Sequence, residues 1–253
     1  MLAYERYGKR SSRCSLIFLH GSTMTKEGML PIVRQFKEYN CFVLDLAGHG
    51  ESFGDMPDSV ATIAKDVEDT ILAMEKKRVF RGKVVLLGYS MGGAITYEVA
   101  LRKRIKLDGI VFLSSGADLQ HYTPMVEQLK TMPVEQFKTR DIVDFLFGSM
   151  VKGEKKAKMK QTFLSTSVAD NIGYNDLMIS NAYNRIEQAK EVDIPTLLVH
   201  GCEDKIVLPS AAIETWKQIS DSQLLMVPYG GHALIFEDGK LVSQRIKGFL
   251  ERL

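Results

Sequence analysis

A lone serine, Ser90, stands two residues after Gly88 and two before Gly92 in the run LLGYSMGG. A hydroxyl is a weak nucleophile at neutral pH. It attacks a carbonyl only with a base beside it and backbone N–H groups waiting for the oxyanion. A strand that turns sharply into a helix presents a serine in this way, and glycine at the flanking positions avoids the clash where strand and helix crowd together. The flanks agree: KVVLL before the motif is strand-like, MGGAITYEVALRK after it is helix-like, and a helix N-terminus favours negative charge near Ser90. The spacing alone arises by chance in roughly one chain in ten of this length, so the partners elsewhere in the chain decide.

Five histidines could supply the base: His20, His49, His121, His200 and His232. His232 lies in PYGGHAL, just after an apolar run at 224–227, where a loop can carry an imidazole over the sheet edge towards Ser90. His20 and His200 each close a strand-like run immediately before a glycine, a place for a buried, hydrogen-bonded imidazole. His49, in DLAGHGES, sits in a turn that it is expected to organise. A carboxylate must then fix the tautomer of the base and stabilise its charged form. Asp204 in LLVHGCEDKIV follows a strand-like run and faces the next one. Its neighbour Glu203, expected to face solvent, and Asp118 in SSGAD are the competitors. The order Ser90, Asp204, His232 is the one that accompanies a strand-turn-helix elbow.

Short β-branched and Leu-rich runs at 16–19, 42–44, 84–87, 110–113, 196–199 and 224–227 alternate with helix-period stretches, which predicts an α/β fold with a mostly parallel central sheet flanked by helices. Val60, Ile63, Ala64, Val67, Ile71 and Met74 make one apolar helix stripe, and Val242, Ile246, Phe249, Leu250 and Leu253 make another. The alternation stops between Asp118 and Lys190, where helix-like stretches carry Met125, Leu129, Met132, Phe137, Phe145, Phe147, Met159, Phe163 and Met178. This predicts a core domain of residues 1–117 and 191–253 and a helical lid insertion, 118–190, whose Met and Phe side chains build the lid's own core and border an apolar pocket. The lysine-rich stretch 152–160 reads as a solvated helix face. With 33 basic against 31 acidic residues in 253, the charge of +2 falls far short of a nucleic-acid binder's. Cys14, Cys41 and Cys202 form no CxxC pair and read as small core or strand-edge residues in a reducing compartment. The polar start of the chain and its short apolar runs predict a cytoplasmic protein without a membrane span.

Taken together, HGST at 20–23, DLAGHGES at 45–52, GYSMGG at 88–93, HGCEDKIV at 200–207 and GGHAL at 230–234 resemble an α/β-hydrolase of the carboxylesterase type. The resemblance covers nearly all of the sheet-forming chain and leaves out the lid. It implies Ser90 as nucleophile, His232 as general base and then acid, and Asp204 as the orienting acid. It also implies an oxyanion hole made by the backbone N–H of Met91 and by a second N–H from the loop after His20 and Gly21. Because the HGGG form of some lipases is absent, that second donor lies between Ser22 and Thr23, with Ser22 preferred. A serine at position 90 argues against the aspartate-based and cysteine-based relatives. No HExxH, paired CxxC or dinucleotide fingerprint is present, so no metal and no cofactor is expected. The expected activity is hydrolysis of a carboxylic ester, thioester or lactone through an acyl-Ser90 intermediate, on a small-molecule substrate with an apolar portion. A ligand-sensing protein with little turnover, or carbon–carbon hydrolase, lyase or perhydrolase chemistry on the same triad, are the rival expectations.

Overall fold

The computed structural model describes residues 1–120 and 124–253, the side chains of 124–126 excepted. His121 and the Met125 side chain therefore lie outside the described residues.

One sheet of seven strands forms the centre: β1 (Tyr4–Gly8), β2 (Cys14–Leu19), β3 (Asn40–Leu44), β4 (Lys83–Tyr89), β5 (Gly109–Leu113), β6 (Thr196–Gly201) and β7 (Ser222–Val227), in the order β1-β3-β2-β4-β5-β6-β7. All pairs are parallel except β1 with β3. Six of the seven strands correspond to the apolar runs of the sequence. The seventh, β1, is YERYG, whose alternation is too polar to stand out. It holds because it is an edge strand: Arg6 donates from Nε to Asn40 Oδ1 at 2.8 Å and lies 5.1 Å over the Phe42 ring. A charged edge also discourages pairing with another chain.

Ten α-helices occur among the described residues. Six accompany the sheet: α1 (Leu30–Val33), α2 (Val60–Lys76), α3 (Met91–Arg102), α8 (Pro209–Gln218), α9 (Leu234–Glu237) and α10 (Gly239–Leu250). Period-two alternation in the strands feeds two cores. Ile17 and Leu19 join α2, α3 and α8 on one face, while Leu16 and Phe18 join α1, α9 and α10 on the other. The two long apolar stripes are α2 and α10. Ser59 caps the first by accepting Thr62 N–H at 3.2 Å, and Asp238 caps the second by accepting Leu241 N–H at 3.0 Å. Such a cap contributes about 1 kcal/mol.

Between β5 and β6 the described residues form no strand. They form α4 (Pro124–Thr131), α5 (Thr139–Ile142), α6 (Gly153–Ser165) and α7 (Asp170–Asn181); an isolated bridge joins Ser167 to Met24 after β2, and another, Asp118–Asn184, ties the two ends of the segment together. Leu129, Phe137 and Ile142 make a small core here, whereas Phe163 leaves it and packs on Phe236 with ring centres 5.8 Å apart. The lysines of α6 face outward: Lys156 and Lys160 pair with Asp144, and Lys158 with Glu154. Of the cysteines, Cys41 is buried in β3 and Cys14 half-buried at the start of β2. Cys202 departs from expectation: it is exposed, because the chain has already left β6 and turned.

Register delivers the motif residues to one edge. Leu19 pairs with Gly88, Tyr89 with Leu113, Leu113 with Val199, and Gly201 with Val227. The loops that follow β2, β4, β6 and β7 therefore leave the same carboxyl end of the sheet, where open α/β sheets bind their ligands.

Candidate active site

Ser90 occupies the single residue between β4 and α3, at φ 52° and ψ −119°. This left-handed backbone is costly for a residue with a side chain and persists only where the surroundings impose it. The surroundings do so by contact. A Cβ on Gly88 would meet Gly92 O at 2.0 Å, and one on Gly92 would meet Leu19 O at 2.5 Å, so both flanking positions are closed to any side chain. Ser90 N–H donates to Leu113 O at 2.9 Å, and Ser115 Oγ donates to Ser90 O at 2.7 Å. The Ser90 side chain thus projects from an elbow fixed on both sides.

His232 Nε2 lies 3.0 Å from Ser90 Oγ, and its Nδ1 lies 2.8 Å from Asp204 Oδ2. All three residues are buried. Asp204 is itself held: Oδ1 accepts the N–H groups of Ile206 and Val207, each at 2.9 Å. With Oδ1 committed to two donors, Oδ2 faces the imidazole. The tautomer that satisfies every contact has Nδ1–H donating to Asp204 and Nε2 accepting from the Ser90 hydroxyl.

The remaining described histidines are placed differently. His20 donates from Nδ1 to Gly21 O at 2.9 Å and accepts Leu46 N–H at Nε2 at 3.1 Å. Burial first, then the neighbouring His49, push its pKa down to about 3. His200 donates from Nε2 to Val207 O at 2.9 Å, with Asp204 Oδ2 3.3 Å away. Burial lowers its pKa and keeps it neutral against that carboxylate. His49 donates from Nδ1 to Ala47 O at 2.9 Å, holding its turn as expected, but its Nε2 also reaches Asp176 Oδ2 on α7 at 2.9 Å. Burial opposes its charge, yet the hydrogen bond and charge of Asp176 outweigh burial and raise its pKa. Neither rival carboxylate meets His232. Glu203 accepts Ser149 N–H at 2.6 Å and Ser149 Oγ–H at 2.8 Å, and Asp118 accepts Gln120 N–H at 2.7 Å.

Met91 N is the first amide of α3, which has no acceptor one turn back in its own helix. Ser22 and Thr23 follow Gly21, whose place beside Ser90 is tight: a Cβ there would stand 3.1 Å from Ser90 Cβ. Thr23 N–H is already donated to Asp176 Oδ2 at 2.8 Å, which takes it out of contention as the second oxyanion donor.

Other residues of the site carry no motif. Glu237 on α9 accepts Gly231 N–H at 3.2 Å and Gly148 N–H at 3.1 Å, fixing the loop before His232, and burial raises its pKa. The Tyr89 ring lies 5.3 Å from the His232 ring, its hydroxyl buried without a hydrogen-bond partner among the described residues. A small pocket of about 50 Å³ opens over Ser90, bordered by Ser22, Leu119, Leu177, Met178, Ile206 and Val207. Leu129 lines both this pocket and an outer cavity of about 570 Å³, whose walls include Met132, Phe137, Ile142, Phe145 and Leu208, with Lys138, Asp141 and Lys205 also lining it. Part of the Met and Phe content of the helical segment therefore borders open space. None of the helices among the described residues is long and apolar enough to cross a membrane.

Known proteins are similar to most of this chain. A lipase-esterase related protein from Clostridium acetobutylicum ATCC 824 superposes with a TM-score of 0.88 at 27% identity, covering 98% of this chain and 99% of that one. Lipase 1 of Psychrobacter immobilis is 27% identical over 92% of this chain and 76% of its own. Protein PHYLLO, chloroplastic, of Arabidopsis thaliana is 23% identical over 97% of this chain, which spans only 16% of that longer protein. Residues 10–239 match the sequence profile of the serine aminopeptidase, S33 family, and the chain belongs to that family of α/β-hydrolases.

Proposed function

We propose that the protein hydrolyses carboxylic esters through an acyl-Ser90 intermediate, with thioesters and lactones as chemically equivalent substrates. The observation that carries this reading is the unbroken line from Asp204 Oδ2 to His232 Nδ1 at 2.8 Å and from His232 Nε2 to Ser90 Oγ at 3.0 Å. As Ser90 Oγ attacks the carbonyl carbon, its proton passes to His232 Nε2, and Asp204 stabilises the imidazolium. Negative charge collects on the former carbonyl oxygen, where Met91 N–H and Ser22 N–H receive it. One such donor is worth about 3 to 4 kcal/mol of transition-state stabilisation. His232 then protonates the leaving alcohol. Water, deprotonated by the same nitrogen, releases the acid and restores Ser90.

The pocket sizes support a division of the substrate. About 50 Å³ beside Ser90 suits a short group, and the outer cavity of about 570 Å³ suits a longer apolar one. Residues 118–190 act as the lid that shapes both spaces. The names of the lipase and the lipase-esterase related protein point to the same substrate class. The test is labelling with a fluorophosphonate probe, followed by turnover of a p-nitrophenyl ester series. Wild type should label and Ser90→Ala should not, with hydrolysis lost in parallel. A Ser90→Ala protein that still labels or hydrolyses at the wild-type rate refutes the proposal.

A further inference from the structure

The loop that carries Ser22 is secured to the helical segment at several points. Thr23 N–H donates to Asp176 Oδ2 at 2.8 Å, and Val168 N–H donates to Thr23 O at 2.9 Å. Thr25 N–H donates to Thr166 O at 2.9 Å, Met24 and Ser167 form a β-bridge, and Ser22 Oγ lies 3.1 Å from Ser180 Oγ. Thr23 stands at φ 66°, a conformation that a β-branched residue adopts only under constraint. Gly173 of α7 leaves the space that constraint needs, since a Cβ there would lie 2.9 Å from Thr23 Cγ2.

Asp176 is the centre of these contacts. Its Oδ2 accepts from Thr23 N and from His49 Nε2, and Asp176, His49 and Thr23 are all buried. A buried carboxylate is costly unless its partners hold it well, and replacing a buried pair by apolar groups often costs nothing. Stability alone could be had by an apolar pair in place of Asp176 and His49 together, so it does not explain why a carboxylate stands here. What Asp176 does that an apolar residue could not is capture one particular backbone amide, the one next to Ser22.

We infer that Asp176 is a positioning residue for the reaction: by holding Thr23 in its left-handed conformation and bracing it against His49, it turns Ser22 N–H towards the oxyanion at Ser90. The inference rests on the reading of Ser90 as nucleophile. Without Asp176, Thr23 relaxes to an ordinary φ, the Ser22–Thr23 peptide that Asp176 held by its N–H is released, and the backbone of Ser22 shifts with it, carrying the adjoining Gly21–Ser22 peptide and its Ser22 N–H away from the reacting carbonyl. A misplaced donor weakens transition-state binding far more than ground-state binding.

The test uses the full chain as Asp176→Asn, which keeps an acceptor for Thr23 but loses the charge facing His49, and as Asp176→Ala, which loses both. On p-nitrophenyl acetate, kcat should fall about a hundredfold for Ala, the lower end of the range for losing an oxyanion donor, and on the order of tenfold for Asn, which keeps an acceptor for Thr23, while KM stays within about twofold. Affinity for a trifluoromethyl ketone, which forms the tetrahedral oxyanion on Ser90, should fall in parallel with kcat. Thr23→Gly introduced into Asp176→Ala should recover part of the lost kcat, because glycine takes positive φ freely. A role in stability alone would lower Tm without moving ketone affinity relative to KM, and without rescue by glycine. The inference is overturned if wild type labels at Ser90 and both Asp176 variants keep kcat within threefold, or if kcat falls while ketone affinity does not. A wild type that fails to label sinks the nucleophile assignment and the inference with it.

Discussion

Replacing Asp204 by asparagine changes one atom, and the structure dictates where that atom goes. The Oδ1 position receives two N–H groups, from Ile206 and Val207 at 2.9 Å each. An amide NH2 placed there would face two donors, so the asparagine must present its carbonyl oxygen to them and turn its NH2 towards His232. The Nδ1 atom, 2.8 Å away in the native protein, is then required to accept. A neutral imidazole that accepts at Nδ1 carries its proton on Nε2, the nitrogen that must take the Ser90 proton. His200 cannot relieve the conflict, because its own Nε2–H lies 3.3 Å from the same carboxylate oxygen and meets the same NH2. Wrong tautomer at unchanged geometry cost a serine protease about 10⁴ in kcat, which at 1.36 kcal/mol per tenfold is about 5.4 kcal/mol of barrier. We expect a loss of that size in kcat/KM on p-nitrophenyl acetate, with the fold retained by circular dichroism. Asp204→Asn should be no more active than Asp204→Ala, although alanine discards the whole carboxylate, because alanine leaves the tautomer free. A folded Asp204→Asn that loses less than about a hundredfold, or that clearly outperforms Asp204→Ala, refutes the reasoning.

His232→Ala should lose activity on the order of 10⁶-fold in kcat, as expected when one member of a unit is removed, with Tm little changed; single-turnover measurements on the same ester check it. Gly88→Ala places a Cβ 2.0 Å from a backbone oxygen that has no flexible group to yield; the expected cost is about 3 kcal/mol, read as a Tm lower by about 10 °C. Glu237→Gln can still accept Gly231 N–H and Gly148 N–H. Since burial raises the native pKa of Glu237, its ionisation subtracts stability as pH rises through that value, so the glutamine variant should gain on wild type in urea titrations at pH 7 and lose the advantage near pH 4. For His49 the folded-state pKa is raised, so its contribution is complete below about pH 6.5 and is lost as pH rises through the raised value. Urea titrations at pH 6 and pH 8.5 should show that decline in wild type and a flatter profile in Asp176→Asn.

The fold and the three side chains that meet at the site are legible in the sequence for one physical reason: each is written in a short stretch. A buried parallel strand is a run of apolar residues, and six such runs stand out. An elbow without room for side chains demands glycine at fixed spacing, as at Gly88 and Gly92. Loops that leave the carboxyl ends of β6 and β7 carry their polar residues within a few positions of the strand end, which is why Asp204 and His232 could be chosen over Glu203, Asp118 and the other histidines. By contrast, β1 owes its existence to pairing with β3 through a polar pattern and carries no such mark. The preference for Ser22 over Thr23 carries no such mark in the sequence either. It turns on which of two adjacent amides is already occupied, and the acceptor, Asp176, lies 153 residues further along the chain on α7. Glu237 and Ser115 are equally silent, since each serves backbone atoms, and a backbone amide or carbonyl has no residue type to read. What sequence spacing conveys is therefore the groups proposed to react. The groups that aim them are chosen by tertiary contact, and they include a carboxylate in a segment that looks, from its sequence, like a cover over the site. If Asp176 aims an oxyanion donor, then α7 is part of the catalytic wall, and only the rest of the helical segment is free to vary with the substrate.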